Sequence, residues 1–274
     1  MGYGLIGYDN AGNAGFPSPA VWADCPNTLL IDKALGYYIK ADGAGDVNTL
    51  PGLPEDSDAG SYTYDDGTVD NRAVIADVGA ATDNNALAIH SQPLAKLAKS
   101  SGTKLWAETD VAFDALADEA FFFGFGDKSA LVRDVVADDP SNSAQAGVID
   151  QSLVGFVTTQ ASSKIATVDA VYQKAGDGGA TTVLADVTNA SAIASSDRSN
   201  LVAQTFVRLG VYYDGRSKVK FFVNGIKVAE KEVDSTFDQT HDLGVVFALK
   251  TGSAAQNKAY YRFIRAAAQL AEQS

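Results

Sequence analysis

Between Thr205 and Val233 the apolar positions recur every second residue. Thr205, Val207, Leu209, Val211 and Tyr213 share one face of an extended segment, and Val219, Phe221 and Val223 continue the pattern after Asp214-Gly215. Period-two alternation is the signature of strands with one buried face. Asn224-Gly225 then leads into Ile226 and Val228. Asn-Gly between alternating runs predicts a type I′ turn, in which both central residues take positive φ. The segment therefore predicts a three-stranded antiparallel meander with Val207, Leu209, Val211, Val219, Phe221 and Val223 inside. The opposite register would send Arg208 and Lys220 into the core without partners, at a cost of several kcal/mol each.

The same reading extends along the chain. In 105–113, Leu105, Ala107, Thr109, Val111 and Phe113 fall on one face and Trp106, Glu108, Asp110 and Ala112 on the other, which predicts a half-exposed strand. Phe121-Phe122-Phe123-Gly124-Phe125 is apolar at every position, as in a strand covered on both faces. Further strands are expected over 35–40, 72–78, 86–90, 152–159, 164–172, 181–187, 243–250 and 259–265. Helical signals are confined to Leu94–Lys99 and to Arg265–Glu272, where the alanines either form a short helix or finish the last strand. About a dozen short strands separated by turns predict an all-β, two-sheet antiparallel sandwich over roughly 100–270.

Two stretches break the pattern. Residues 1–30 read as an extended arm, with glycines and prolines between Tyr3, Leu5, Ile6, Tyr8, Phe16 and Trp22. Ordering its backbone costs roughly 1–2 kcal/mol per residue. Only near-complete burial of those six side chains offsets that cost. They are therefore expected at an interface with another chain, by strand addition or by insertion of aromatics into a groove. Removing residues 1–24 should leave the domain folded and abolish assembly. Residues 31–274 form the expected single domain, with an irregular insert at about 41–71. Within the insert, Asp56-x-Asp58-x-Gly60 begins like a calcium loop, but Gly67 stands at the twelfth position where such a loop needs Glu. Solvated loop acids are the expectation there.

Composition narrows the function. The 274 residues are 46% hydrophobic and 20% charged, enough to build a core without staples. A single cysteine, Cys25, excludes an internal disulfide and a thiolate zinc cluster. The net charge of −13 is spread along the chain and repels phosphate backbones and anionic lipids, so neither nucleic acid nor membrane is an expected partner. No window approaches the roughly 18 apolar residues of a membrane span. The start, Met1-Gly2-Tyr3-Gly4-Leu5, lacks the pattern of a secretory signal.

Leu105-Trp106-Ala107-Glu108, the Phe121–Phe125 run, Phe206–Gly215, Val219–Gly225 and the closing Ala259–Ala266, in this order, resemble the concanavalin A-like lectin and laminin-G-like superfamily over roughly 100–270, extending toward 30. The resemblance implies a jelly-roll sandwich. Within that superfamily the chain is most similar to structural proteins of tailed-bacteriophage virions, such as capsid decoration proteins. This implies a homo-oligomer that contacts a major capsid protein and a host-surface glycan, located in the virion and assembled in the host cytoplasm. The alternative implied by the same fold is a carbohydrate-binding module, with Trp106, Tyr212, Phe222 and Tyr260 as sugar-stacking aromatics.

Catalytic sets are incomplete. β-Glucan hydrolases of this fold carry Glu-x-Asp-x-x-Glu or Glu-x-Asp-x-Glu on one strand. Here Glu108 and Asp110 share a face, roughly 7 Å apart by strand rise, but Ala112 and Phe113 stand where the third carboxylate belongs. Such a retaining enzyme needs both a nucleophile and a separate acid/base. His90 and His241, the two histidines, lack spaced partners for a triad or a transition metal. Gly124-x-Gly126 and Gly176-Asp177-Gly178-Gly179 do not make phosphate loops. The expected protein is therefore non-enzymatic and without a cofactor, and a glycoside hydrolase ranks third.

Overall fold

The computed structural model describes residues 28–30, 55–57, 61–64, 69, 73–78, 86–90, 93–116, 119–127, 152–158, 168–175, 182–186, 201–235, 237–251 and 258–269. The arm residues Tyr3, Leu5, Ile6, Tyr8, Phe16 and Trp22, and the strand expected at 35–40, lie outside them. Among the described residues, fifteen strands run in chain order: β1 (Thr28–Leu30), β2 (Glu55–Ser57), β3 (Ser61–Tyr64), β4 (Val74–Asp77), β5 (Ala86–His90), β6 (Lys104–Phe113), β7 (Glu119–Asp127), β8 (Leu153–Thr158), β9 (Asp169–Gln173), β10 (Thr182–Asp186), β11 (Val207–Tyr213), β12 (Lys218–Val223), β13 (Ile226–Glu232), β14 (Leu243–Thr251) and β15 (Lys258–Gln269). The fold is an all-β, two-sheet antiparallel jelly roll. One sheet is ordered β13-β12-β11-β6-β15-β4-β3, with β1 added to β15, and the other is ordered β10-β9-β8-β7-β14-β5-β2.

The meander lies where its alternation places it. Val207, Leu209, Val211, Tyr213, Val219, Phe221 and Val223 are all buried between the sheets. Both hairpin turns carry the expected chemistry. Asn224 and Gly225 have φ of 50° and 82°, as a type I′ turn requires. Asp214 Oδ1 accepts the backbone N–H groups of Arg216, Ser217 and Lys218 at 2.8–3.0 Å and closes the β11–β12 turn. In the β7 run, Phe121, Phe123 and Phe125 join the central core, while Phe122 buries on the outer face with Ala88, Leu153, Val157, Val171, Val246 and Ala248. Gly124 and Gly155 stand opposite each other on β7 and β8. A Cβ on Gly124 would lie 2.2 Å from the carbonyl oxygen of Val154, and one on Gly155 2.3 Å from that of Phe123. Only glycine fits this pair.

Two expectations change, and one open alternative is decided. β6 is not half-exposed, because Trp106, Glu108 and Asp110 on its outer face are 2%, 1% and 5% exposed. The strand is central, between β11 and β15, and long side chains from those neighbours lie over it. No helix forms at Leu94–Lys99, since Leu94 N–H donates to the Leu243 carbonyl and Leu243 N–H to Ala95, tying the segment to the start of β14. The alanines of 266–268 finish β15, pairing with Leu105, Trp106 and Ala107 of β6. Of the insert, Glu55–Ser57 and Ser61–Tyr64 are edge strands of the two sheets. The other residues of the calcium-like spacing lie outside the described residues.

Candidate functional site

Alternation sends the polar half of β6, β11, β12 and β15 to the outer face of the eight-stranded sheet. Register then sets these side chains in rows across it. One row joins Lys220, Tyr212 and Trp106, and the next joins Phe222, Gly210 and Glu108. A third row sets Arg208 opposite Asp110. A bulge in β15 lets Tyr261 and Phe263 oppose adjacent residues of β6, which makes Arg262 the extra residue. Beyond it, Phe206, Ala112 and Tyr260 pack with Ala73, Val69 and Ile75.

The face has two layers. Beneath are Trp106, Glu108, Asp110, Phe222 and Tyr260, each buried. Above them, half-buried or exposed, are Phe206, Arg208, Tyr212, Lys220 and Arg262. Tyr212 stacks on Trp106 with ring centroids 5.1 Å apart, and the Lys220 ammonium lies 5.6 Å from the Tyr212 ring. Arg262 donates to Asp110 Oδ2 at 3.0 Å while its guanidinium sits 3.8 Å over Phe206. Arg208 approaches Glu108 at 3.6 Å. Tyr260 O–H reaches Asp114 at 3.5 Å.

Glu108 is the perturbed group. Loss of hydration pushes its carboxyl up to about 8, Asp110 adds to that, and Arg208 opposes it. At a long 3.6 Å the guanidinium does not restore the charge, so the carboxyl is mostly protonated at neutral pH. The face thus offers guanidinium and ammonium donors and two half-buried rings, above a neutral Glu108 carboxyl and the Asp110 that Arg262 covers. Hydroxyl-rich ligands with an apolar ring face match such a surface.

A second polar cluster closes one end of the seven-stranded sheet. Asp127 ends β7 opposite Leu243, and the loop before β14 brings Asp238 and His241 to the same corner. Asp238 accepts Ser152 Oγ–H at 2.5 Å, Thr240 N–H at 2.8 Å and Thr240 Oγ1–H at 2.6 Å, and it lies 2.6 Å from His241 Nδ1. Burial pushes its carboxyl up, but these hydrogen bonds outweigh that and hold it well below the usual carboxylate range. The hydrogen bond to Asp238, then the charges of Asp238 and Asp127, raise the His241 imidazole. Ser152 bonds to the aspartate and not to the histidine, so this is no nucleophilic triad.

All four aromatics singled out from the sequence stand on one outer face. The stacked pair Trp106 and Tyr212 is brought together, whereas Phe222 and Tyr260 lie in separate rows. Tyr212 is half-buried and the other three are covered. Sequence reading missed Arg262, because a bulge is invisible to strict alternation, and it treated His241 as an isolated turn residue. Asp238-x-x-His241 was the available signal, since an aspartate ahead of a tight turn accepts donors two and three residues on. His90 ends β5 opposite Val246. Gly124 and Gly126 lie within β7, and no phosphate loop forms there.

No family model matches the chain, and no curated protein matches it by sequence. Solved structures do match its fold. Peanut lectin aligns with a TM-score of 0.51 at 14% identity, covering 80% of this chain and 91% of the lectin. The Emp47p carbohydrate recognition domain aligns at 0.51 and 8% identity, covering 86% and 96%. The alginate lyase Aly36B, solved with an alginate trisaccharide, aligns at 0.50 and 13% identity, covering 88% and 98%. The chain has the concanavalin A-like lectin fold. At these identities the likeness speaks for the fold alone.

Proposed function

We propose that this protein is a carbohydrate-binding module that takes glycans on the outer face of its eight-stranded sheet. One observation carries the reading: the half-buried Tyr212 ring, braced by buried Trp106, lies in a surface of Arg208, Lys220 and Arg262 above Glu108 and Asp110. A pyranose would lay its C–H face on Tyr212 and give its hydroxyls to the guanidinium and ammonium donors. Lectins and a carbohydrate recognition domain share this fold, which adds fold-level analogy. The same fold also carries a lyase, and Glu108, a raised carboxyl within a polar face, favours catalysis on a bound glycan as a second reading. The capsid-decoration role rests on the sequence resemblance alone and has no counterpart among these structures.

A glycan array followed by calorimetry on the hits tests the proposal. Binding by the wild type that falls at least about tenfold in Tyr212→Ala, with the melting curve kept, supports it. An array without hits, or affinity unchanged in Tyr212→Ala, overturns it. Product release from a bound glycan that stops in Glu108→Gln would establish the second reading.

A further inference from the structure

We infer that Asp127, Asp238 and His241 form a binding site for a divalent transition-metal ion, with zinc the best match. These residues come from the end of β7 and from the β13–β14 loop, so the fold and not the local sequence brings them together. One ligand atom from each lies within 4.8 Å of the others. Two carboxylate oxygens and one imidazole nitrogen are a borderline donor set, which suits zinc and disfavours calcium.

The spacing fits the ion. Zinc takes imidazole nitrogen and carboxylate oxygen at about 2.0–2.2 Å, so tetrahedral neighbours stand about 3.3 Å apart. His241 Nδ1 lies 2.6 Å from Asp238 Oδ2 and 3.9 Å from Asp127 Oδ2. The two distances straddle the required one, and the two carboxylate oxygens lie within 4.8 Å of each other, so modest shifts of the imidazole and of the carboxylates complete the set. His241 is free to move, with its side chain 57% exposed. The side chains of Asp127 and Asp238, 12% and 5% exposed, line the inner side of the set.

Outer partners hold the set as metal sites require. Thr240 N–H and Oγ1–H and His241 N–H occupy Asp238 Oδ1, which leaves Oδ2 toward Ser152 and His241. Asp127 N–H donates to the Ser152 carbonyl at 2.9 Å and fixes the end of β7. Such second partners orient ligands and typically tune affinity 10- to 100-fold, on the order seen across metal sites. Binding would exchange the Nδ1 proton of His241 for the ion and release it to solvent. Lys96 is the nearby cation that opposes the charge of the ion. Three protein ligands leave a fourth tetrahedral position to water or to an exogenous ligand.

Titration of the full chain with zinc chloride, followed by calorimetry and by long-range ¹H–¹⁵N spectra of the imidazoles, tests the site. The chain has two histidines, so His241→Gln assigns both sets of signals. The expected result is one zinc per chain, with Nδ1 of His241 metal-bound, Nε2 protonated and His90 unmoved. Asp127→Asn and His241→Gln should each weaken binding at least about tenfold while the protein stays folded by circular dichroism. Ser152→Ala should weaken it more mildly. Absence of zinc binding, movement of His90 in place of His241, or binding unchanged in both Asp127→Asn and His241→Gln would overturn the inference.

Discussion

On the outer face of the eight-stranded sheet, a charged or ring-bearing layer covers Trp106, Glu108 and Asp110. On the opposite outer face a hydrocarbon cluster of Ala88, Phe122, Leu153, Val157, Val171, Val246 and Ala248 is buried, with Asp169, Gln173 and Lys250 buried beside it. The two faces are cut from the same alternating pattern, yet the first sets buried carboxyls under cations at its centre, whereas the second has hydrocarbon at its centre. Hydrocarbon burial is non-directional and rewards volume, so that face depends on packing and on the glycine pair beneath Phe122. Burial of a carboxyl is directional and depends on pH. The centre of the first face is therefore the one whose stability depends on pH, while the hydrocarbon cluster of the second contributes through packing.

The comparison breaks most visibly at Phe122. Its ring tip would stand 2.9 Å from a Cβ on Gly155, so it fills the space over the glycines. Phe122→Ala should cost about 3–5 kcal/mol in urea unfolding. Adding Gly155→Ala should not rescue it, because the new Cβ still meets the carbonyl of Phe123 at 2.3 Å. A rescued double variant would show that side-chain crowding, and not close backbone approach, dictates glycine there.

Glu108→Gln sharpens the contrast through pH. The folded carboxyl titrates at about 8 and its unfolded counterpart near 4.5, so between these values the native state holds more protons than the unfolded chain. Stability must then fall as pH rises through that window and level off above it. Asp110 and Arg208 face the group, with Arg265 opposite in register. Relative to the wild type, Glu108→Gln should gain stability on going from pH 4 to pH 9, by about 2–4 kcal/mol after relaxation of the site. A difference that stays flat over that range would mean that Glu108 is ionised when folded. Phe122→Ala should show no such pH-dependent difference.

Tyr212→Ala is the smallest expected effect on stability, roughly 1 kcal/mol or less, because the ring is half-buried and its loss leaves Trp106 in place. A loss above about 3 kcal/mol in thermal unfolding would make Tyr212 part of the packing rather than the accessible layer.

Much of the fold was legible because strand alternation and turn chemistry are local. Asn224-Gly225 fixed a hairpin, and Phe121–Phe125 announced a strand covered on both sides. The shared face of Glu108 and Asp110 was equally legible, since side chains two apart on a strand must point the same way. Its burial was not, because exposure depends on which strands flank β6. Leu94–Lys99 misled for a similar reason: its helical propensity lost to hydrogen bonds with Leu243, which is distant in sequence.

What the sequence determined by itself is therefore the period, the turns and the inward set of the meander, all governed by interactions within a few residues. Tertiary structure decided the rest. It set Arg262 on a bulge against Asp110, stacked Tyr212 on Trp106 and brought Asp127 to Asp238 and His241. Each of these contacts joins segments separated by many residues, and their geometry follows from strand order and register. Neither is encoded in local periodicity, because the same alternating strand fits an edge or a centre until its neighbours are chosen.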